Sequence, residues 1–134
     1  MTLAALLFAL QAALPMMTVA QGSSSQILEP RQVVVRDAAA WQALWRAHSA
    51  APVPAADVDF SRFMLVAVFV GTRPSAGYAV DITSTTAADG TTLVNYTERE
   101  PGAGLITAQV LTSPFHIVRI PRTEGRVVFT RSPA

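Results

Sequence analysis

The most restrictive feature of this sequence is an uninterrupted apolar run at residues 63–70, FMLVAVFV. Successive side chains of a β-strand point to opposite faces of a sheet, so a strand with one solvated face alternates apolar and polar residues. This run does not alternate. It therefore predicts a central strand that is covered on both faces, and any fold of this chain must supply that cover.

One helix is predicted upstream of that strand, at residues 38–48. Asp37 is a suitable N-cap, because its carboxylate can accept hydrogen bonds from the free N–H groups of the first turn. Apolar residues and a histidine recur at intervals of three and four, on one face of an amphipathic helix: Trp41, Leu44, Trp45 and His48. His48 then closes the helix, where a cation suits the C-terminal dipole.

The remaining strands are predicted from β-branched runs and turn residues. Asp89-Gly90 supplies the positive φ angles of a tight hairpin turn between strands at 78–85 and 92–96. Further strands are expected at 32–35, 115–120 and 126–130, and the last is expected to pair back on the one before it. The predicted fold class is α+β: a mostly antiparallel sheet of about six strands with one amphipathic helix packed on it.

The first 20 residues carry no charged side chain and are mostly Leu, Ala and Met. Small residues at 18–20 offer a cleavage point, which is the layout of a secretory signal peptide. An uncleaved membrane anchor is the alternative, although Gln11 and Pro15 make a spanning helix a poor candidate. We expect a signal peptide at 1–20, a flexible polar leader at 21–29 and a single domain at 30–131, in a protein exported to the periplasm or the medium.

Composition excludes several kinds of chemistry. The chain has no cysteine, so it has no thiol nucleophile, no thiolate metal ligand and no disulfide. The formal net charge is +1 and no basic stripe stands out, so we expect no nucleic-acid partner. His48 and His116 are far apart and neither forms a known zinc pattern with a nearby carboxylate, so we expect no metal and no other cofactor.

The turn after the apolar run, GTRPSAGYAVDI, is crowded with unusual residues. Arginine and aromatic residues carry much of the binding energy at protein interfaces, which makes a candidate interaction loop of Arg73, Pro74, Ser75, Gly77 and Tyr78. The alternative is architectural, with Pro74 and Gly77 shaping the turn and Tyr78 packing inward at the start of the next strand. We expect that role for Gly77 and Tyr78, and both alternatives stay open for Arg73.

A catalytic centre has little support from residue spacing. Ser113 and His116 lie three residues apart on an extended segment, so their side chains point to opposite faces. A triad of Ser75, His116 and Asp81 would have to be assembled across the fold. Ser113 and His116 are therefore only secondary candidates.

Two carboxylates near the end of the second hairpin strand can share one strand face. They are Glu98 and Glu100, which alternate with Arg99. A carboxylate pair for glycoside chemistry is one interpretation. Exposed edge charges that discourage aggregation explain the pair better, and Glu100 is kept as a further secondary candidate.

Several pieces of the sequence, taken in order, resemble the C-terminal domain of PrcB-like proteins, a family of protease-complex components. They are Leu44-Trp45-x-x-His48, Val58-Asp59-Phe60, Gly71-x-Arg73-Pro74-Ser75-x-Gly77-Tyr78-x-Val80-x-Ile82, Glu98-x-x-Pro101-Gly102 and Ser113-Pro114-Phe115-His116-Ile117-Val118. The resemblance covers residues 30 to 130. The family usually has Gly-Gly-Tyr where this chain has Ala76-Gly77-Tyr78, so only one of the two positions can need a glycine-only backbone.

The resemblance implies a function without catalysis. The founding member of the family resembles an exported accessory protein for the assembly or maturation of a surface protease complex, and it is not the protease. Founding members are lipid-anchored, and this chain lacks the cysteine for that anchor. The resemblance thus implies an exported, non-catalytic protein-binding domain. Its expected partner is an exported protease or the precursor of one. Membrane contact is expected only if the N-terminal segment stays uncleaved.

Two alternatives remain open at this point. One is a small hydrolase or small-ligand binder that uses a pocket near Arg73, Tyr78 and His116. The other is a domain that stands alone in this protein but is fused to its partner in related proteins.

Overall fold

The computed structural model describes residues 11–53 and 58–134. Those residues form one helix and eight strands, in the order β1 (Ala12–Ala13), β2 (Met17–Gly22), β3 (Arg31–Val35), α1 (Ala38–His48), β4 (Phe63–Phe69), β5 (Ala79–Ala88), β6 (Thr91–Arg99), β7 (Phe115–Pro121) and β8 (Arg126–Arg131). The α+β class and the mostly antiparallel pairing are confirmed. The strands form two sheets, however, where the sequence predicted one.

The domain has three layers: a helix and two four-stranded sheets. The central sheet has the strand order β2-β7-β4-β3, and the outer sheet has the order β1-β5-β6-β8. Neighbouring strands are antiparallel except for the parallel pair β6 and β8. The two sheets enclose an apolar inter-sheet core that includes Met64, Val66, Val68, Val118 and Ile120 of the central sheet and Val80, Ile82 and Val94 of the outer sheet.

Strand β4 confirms the predicted central strand. It lies between β7 and β3 in the central sheet. Met64, Val66 and Val68 belong to the inter-sheet core, while Leu65, Ala67 and Phe69 belong to a second core on the helix side. Burying a side chain of this size contributes roughly 1.5–3 kcal/mol relative to leaving it exposed, so both covering layers are needed.

Helix α1 begins and ends where the sequence predicted. The N–H of Ala40 donates to Oδ1 of the N-cap Asp37 at 2.7 Å. The side chains of Trp41, Leu44 and Trp45 are buried in the helix-side core.

His48 does not act as a cation at the helix end. Its ring is buried, with its centroid 4.2 Å from that of Phe115, and its Nδ1 lies 2.8 Å from Oγ of Ser25. Burial lowers the pKa of His48 from its ordinary value of 6.5, which favours the neutral imidazole.

The Asp89-Gly90 turn joins β5 and β6 as predicted. Asp89 has φ 51° and Gly90 has φ 74°, both in the left-handed region that a tight hairpin turn requires. The register pairs Ala88 with Thr91, so the turn contains only these two residues.

The N-terminal segment supplies two strands that the sequence did not predict. Strand β1 pairs with β5, and β2 pairs with β7 from Met17 to Gly22. Val19 and Ala20 pack against the helix-side core, so β2 spans the predicted cleavage point after Ala20. Residues 1–10 of the expected signal peptide lie outside the described residues. No helix within the described ranges has the length and apolar character needed to span a bilayer.

Residues 21–29, expected as a flexible leader, lie packed against the domain. Ser25 and Ile27 are buried. The N–H of Ser113 donates to the carbonyl of Ser23, and the N–H of Ser25 donates to the carbonyl of Ser113. These bonds hold the segment alongside the start of β7.

The predicted pairing of β8 with β7 is wrong. Strand β8 pairs with β6 in the outer sheet, for example Val94 with Phe129. Both edges of β7 are already occupied, by β2 and by β4, so β7 has no edge left for β8. The chain crosses between the sheets at 122–125, where the guanidinium of Arg36 donates to the carbonyls of Thr123 and Gly125.

Candidate functional site

Glu98 is a buried carboxylate near the end of β6. Strand alternation puts it on the same face as Thr92, Val94 and Tyr96, which faces the central sheet. Its side chain is 3% exposed, so the expectation of an exposed edge charge is wrong for Glu98. Glu100 lies beyond the end of the strand and is exposed.

Arg73 binds Glu98 with two parallel hydrogen bonds. Its Nε lies 2.5 Å from Oε2 and its Nη2 lies 2.9 Å from Oε1. Hydrogen bonding to this carboxylate raises the pKa of Arg73 above its ordinary value. The third guanidinium nitrogen, Nη1, donates to the carbonyl of Thr72 at 3.1 Å. Each of the three guanidinium nitrogens of Arg73 therefore donates one hydrogen bond, and together these bonds hold the turn against the end of β6.

The backbone of Arg73 fixes a second part of the chain. Arg73 and Thr112 exchange two backbone hydrogen bonds, of 2.7 and 3.0 Å. Arg73 thus connects the turn after β4, the end of β6 and the segment that precedes β7.

A pocket of about 400 Å³ borders this ion pair, between the β3 edge of the central sheet and the β8 edge of the outer sheet. We call it the arginine pocket. Its polar lining consists of Arg31, Gln32, Arg73, Tyr96, Glu98 and Arg131, and its apolar lining of Pro30 and residues 68–70. Nη2 of Arg131 lies 3.4 Å from Oε1 of Glu98. Two guanidinium groups, of Arg73 and Arg131, therefore meet one carboxylate at this pocket.

The other residues of the predicted loop have architectural roles or face elsewhere. Oγ of the buried Ser75 donates to the carbonyl of Ala76, and Pro74 is exposed. Gly77 has φ 97°, and a Cβ at this position would lie 2.9 Å from Cγ of Pro101, so both conformation and space require glycine there. Half-buried Tyr78 lines a different depression, together with Gln21, Asp81 and Arg99.

His116 lies in the inter-sheet layer and joins the two sheets. Its Nδ1 accepts the N–H of Ile82 at 2.9 Å, so the ring proton is on Nε2, which donates to Oγ1 of Thr18 at 2.9 Å. Burial lowers the pKa of His116 from 6.5, and the nearby carboxylate of Asp81 offsets this only in part. The neutral form is the one that these two hydrogen bonds require.

The structure does not bring the proposed catalytic residues together. Both nitrogens of His116 are bonded to groups other than Ser75, Ser113 and Asp81. Asp81 instead accepts a hydrogen bond from Gln21 and pairs with Arg99. Arg73, Tyr78 and His116 do not share one pocket. Among the described residues, no three His, Asp or Glu side chains gather into a possible metal site.

An exposed apolar segment at residues 105–111 is the feature that the sequence interpretation missed. Its exposed large side chains are Leu105, Ile106, Val110 and Leu111, and that of Ile106 is fully exposed. Leu111 also lines a shallow depression with exposed Leu28. The run LITAQVL has no charged residue, a signal that was available in the sequence. Contiguous apolar surface of this kind marks interaction sites on soluble proteins.

The backbone of the apolar segment is anchored at three points and otherwise free. The N–H of Leu105 donates to the carbonyl of Gly102, the carbonyl of Ala108 accepts from Ala76, and Thr112 pairs with Arg73. Within the part of the chain that the structure describes, no other backbone group between 106 and 111 has a backbone partner. The segment therefore presents both apolar side chains and backbone groups that have no backbone partner, although the carbonyl of Thr107 accepts a long hydrogen bond from the Gln109 side chain.

Fold and surface together define a small α+β domain, with a helix over two facing sheets and with an apolar segment beside a buried arginine–carboxylate pair. Residues 64–121 match the family model described as PrcB C-terminal. The match confirms the resemblance over β4 to β7, a range that includes Arg73, Glu98 and the apolar segment. No curated protein and no solved structure matches the chain.

Proposed function

We propose that this chain is an exported protein-binding domain and that the apolar segment at 105–111 is its main contact surface. The exposure of Leu105, Ile106, Val110 and Leu111 is the observation that carries the proposal. A segment with β-forming residues and no charge is prone to aggregate when it stays uncovered. A partner protein that covers the segment removes that hazard and gains apolar burial.

The free backbone groups of the segment support strand addition as the mode of binding. An extended peptide can add to an exposed sheet edge of another protein, with backbone hydrogen bonds supplying affinity and alternate side chains supplying specificity. The bond between Thr112 and Arg73 holds one end of the segment in place before binding. Such preorganisation lowers the entropic cost of association.

The finer proposal is that the partner is an exported protease or its precursor. Its support is the match of residues 64–121 to the PrcB C-terminal family model, together with the uncharged N-terminal segment as an export signal. In this role the domain acts as an accessory or assembly factor, and it does not carry out catalysis itself.

Site-specific photo-cross-linking tests the contact surface. A photoreactive residue replaces Ile106 in one variant and Val53, an exposed apolar residue outside the segment, in the other. We expect a cross-link to one partner protein from position 106 and none from position 53, in cells that export the chain. Mass spectrometry of the cross-linked product then identifies the partner, and an exported protease or its precursor is the expected identity.

Binding of the purified partner supplies the quantitative test. We expect Ile106→Asp to weaken binding at least tenfold, since the loss of a hot-spot residue at the centre of an interface costs about 2 kcal/mol or more and tenfold corresponds to about 1.4 kcal/mol. The matched variant Val53→Asp should bind as the unmodified chain does. Cross-links only between copies of this chain, or equal binding by both variants, would overturn the proposal.

A further inference from the structure

We infer that Ile106 is the side chain that the apolar segment inserts into the substrate cleft of an endopeptidase, so that the chain occupies the cleft as a peptide substrate would. The inference rests on the proposed function, in which the apolar segment is the contact surface, and it names the site on the partner. It depends on the way in which the fold holds this one residue out from the domain.

Ile106 protrudes between two neighbours that are held to the domain. Its side chain is fully exposed. On one side, the N–H of Leu105 donates to the carbonyl of Gly102 at 3.1 Å. On the other side, half-buried Thr107 packs against the turn after β4, since a Cβ at Gly77 would lie only 3.2 Å from its Cγ2. The fold therefore presents Ile106 at the tip of a supported loop.

Backbone hydrogen bonds close the base of this loop. The N–H of Ala76 donates to the carbonyl of Ala108 at 3.0 Å, and Arg73 and Thr112 exchange two further bonds. Gly104, just before the tip, has φ 80°, a left-handed conformation that glycine adopts without strain. A loop that is held in place before binding loses less conformational entropy when a partner binds it.

The backbone at the tip is free to pair with a partner. Within the described residues, the N–H and carbonyl of Ile106 and the N–H of Thr107 have no backbone partner. An extended peptide gains affinity from backbone hydrogen bonds to a strand edge of its partner, while side-chain pockets supply specificity. A partner that binds the Ile106 side chain can therefore add backbone hydrogen bonds next to it.

These features fit one class of partner surface. The partner needs a strand edge for the backbone and an apolar pocket for a branched side chain, and the bound chain must continue past the pocket in both directions. A site that captures a chain terminus does not meet the last requirement. The substrate cleft of an endopeptidase meets all three, because its specificity pocket takes the side chain of an internal residue.

The composition of the segment selects the kind of specificity pocket. Residues 102–111 carry no charged side chain. A pocket that contains a carboxylate, like that of trypsin, has no partner among them, whereas a small apolar pocket, like that of elastase, accepts an aliphatic side chain.

Inhibition kinetics test the inference, with elastase as the probe and trypsin as its counterpart. We expect the full chain to inhibit the initial rate of elastase on a chromogenic peptide competitively, and to leave trypsin unaffected. Elastase whose active-site serine has been blocked by a sulfonyl fluoride should no longer bind the chain, because its cleft is already occupied.

A change of specificity at position 106 completes the test. We expect Ile106→Arg to weaken the inhibition of elastase at least tenfold and to inhibit trypsin, because an arginine side chain fits the trypsin pocket. The matched control is Val110→Arg, at an exposed apolar residue of the same segment, which should inhibit elastase as the unmodified chain does and should not inhibit trypsin. Both positions are exposed, so both variants should fold. No inhibition of elastase by the unmodified chain, or inhibition of trypsin by both variants, would overturn the inference.

The inference and the proposed function fail in different ways. If position 106 cross-links to a partner in cells but the chain inhibits neither elastase nor that partner, the apolar segment is a contact surface and the inference alone is wrong. If position 106 cross-links to no protein, the proposed function is wrong and the inference fails with it.

Discussion

At the scale of single residues, Arg73 combines a structural role with a position at the edge of the candidate site. Its side chain compensates the charge of the buried Glu98, while its backbone holds Thr112 at the end of the apolar segment. A buried charge that loses its partner is strongly destabilising, whereas replacing both members of the pair by apolar residues is often neutral. The fold therefore depends on Arg73 mainly because Glu98 is buried.

We predict that Arg73→Ala lowers the free energy of unfolding by about 3 kcal/mol, because it leaves Glu98 with only the longer contact to Arg131. Urea unfolding of the variant measures this loss. The matched control is Arg99→Ala, which breaks the more exposed pair with Asp81 and should cost about 0–1 kcal/mol.

A double variant separates the burial of Glu98 from other effects of the substitution. Arg73→Ala combined with Glu98→Met should be more stable than Arg73→Ala alone, since no carboxylate then remains buried. An Arg73→Ala variant as stable as Arg99→Ala would show that Glu98 finds another partner.

The arginine–glutamate pair shows what residue-level sequence reasoning can reach. Alternation along β6 puts Glu98 on the face of Val94 and Tyr96, a signal of burial with a partner that the interpretation of Glu98 as an exposed edge charge overlooked. Which of the 10 arginines is that partner does not follow from the sequence, because Arg73 lies on a separate turn. The position of Gly77, in contrast, was predictable from the turn chemistry alone.

At the scale of secondary-structure elements, His116 connects β7 to β5 and thereby links the two sheets. Its Nδ1 satisfies the N–H of Ile82, and its Nε2 donates to Thr18 on β2. A protonated imidazole carries a proton on both nitrogens, so Nδ1 could no longer accept that N–H. Protonation of His116 therefore opposes the contact between the sheets.

We predict that the stability of the domain falls as the pH drops below about 6.5. Burial lowers the pKa of both His48 and His116 in the folded state, whereas the unfolded chain titrates near the ordinary value of 6.5. Below that value the unfolded state binds more protons, so the free energy of unfolding decreases with falling pH. Above it both histidines are neutral in both states, and they add no pH dependence.

Denaturant unfolding between pH 7.5 and pH 5 measures this dependence. The double variant His48→Gln with His116→Gln should be less stable but nearly independent of pH in this window. Asp59 and Glu124 also have lowered pKa values, but they are carboxyls and act only at more acidic pH. If the free energy of unfolding depends on pH equally in the variant and in the unmodified chain, groups other than the two histidines cause that dependence.

Elements specified by local chemistry were predictable, and elements specified by distant pairing were not. The N-cap and apolar periodicity define α1, and Asp89-Gly90 defines the β5–β6 hairpin. Strand β2 was missed because an apolar, uncharged segment is also typical of a signal peptide. The turn residues at 123–125 suggested a hairpin, which led to the wrong pairing of β8 with β7, whereas β8 pairs with β6.

At the scale of the whole molecule, the N-terminal strands complete both sheets. Strand β2 covers one edge of β7, and β1 pairs with β5. Leu14 packs against the inter-sheet core, and Val19 and Ala20 pack against the helix-side core. If export includes cleavage after Ala20, the mature domain loses β1 and most of β2.

We predict that a chain beginning at Gln21 is less stable than one beginning at Gln11 by at least about 2 kcal/mol, because Leu14 and Val19 no longer contribute apolar burial. The shorter chain should also associate with itself, since an uncovered strand edge offers unpaired backbone groups to other chains. Urea unfolding and size-exclusion chromatography of the two chains measure these effects. The chain that begins at Gln11 is the matched control, because it lacks residues 1–10 but keeps both strands.

Mass spectrometry of the exported protein decides whether this loss occurs in the cell. A mature chain that begins at Gln21 and is as stable as the longer one would show that β1 and β2 are dispensable. A mature chain that keeps residues 12–22 places any cleavage upstream of β1, and the two strands then belong to the working domain. A mature chain that begins at Gln21, is unstable alone and is stabilised by its partner would mean that the partner covers the open edge of β7. In that case export processing would itself create a second contact surface, along Ile117 to Arg119 of β7, which Met17 to Ala20 cover in the longer chain.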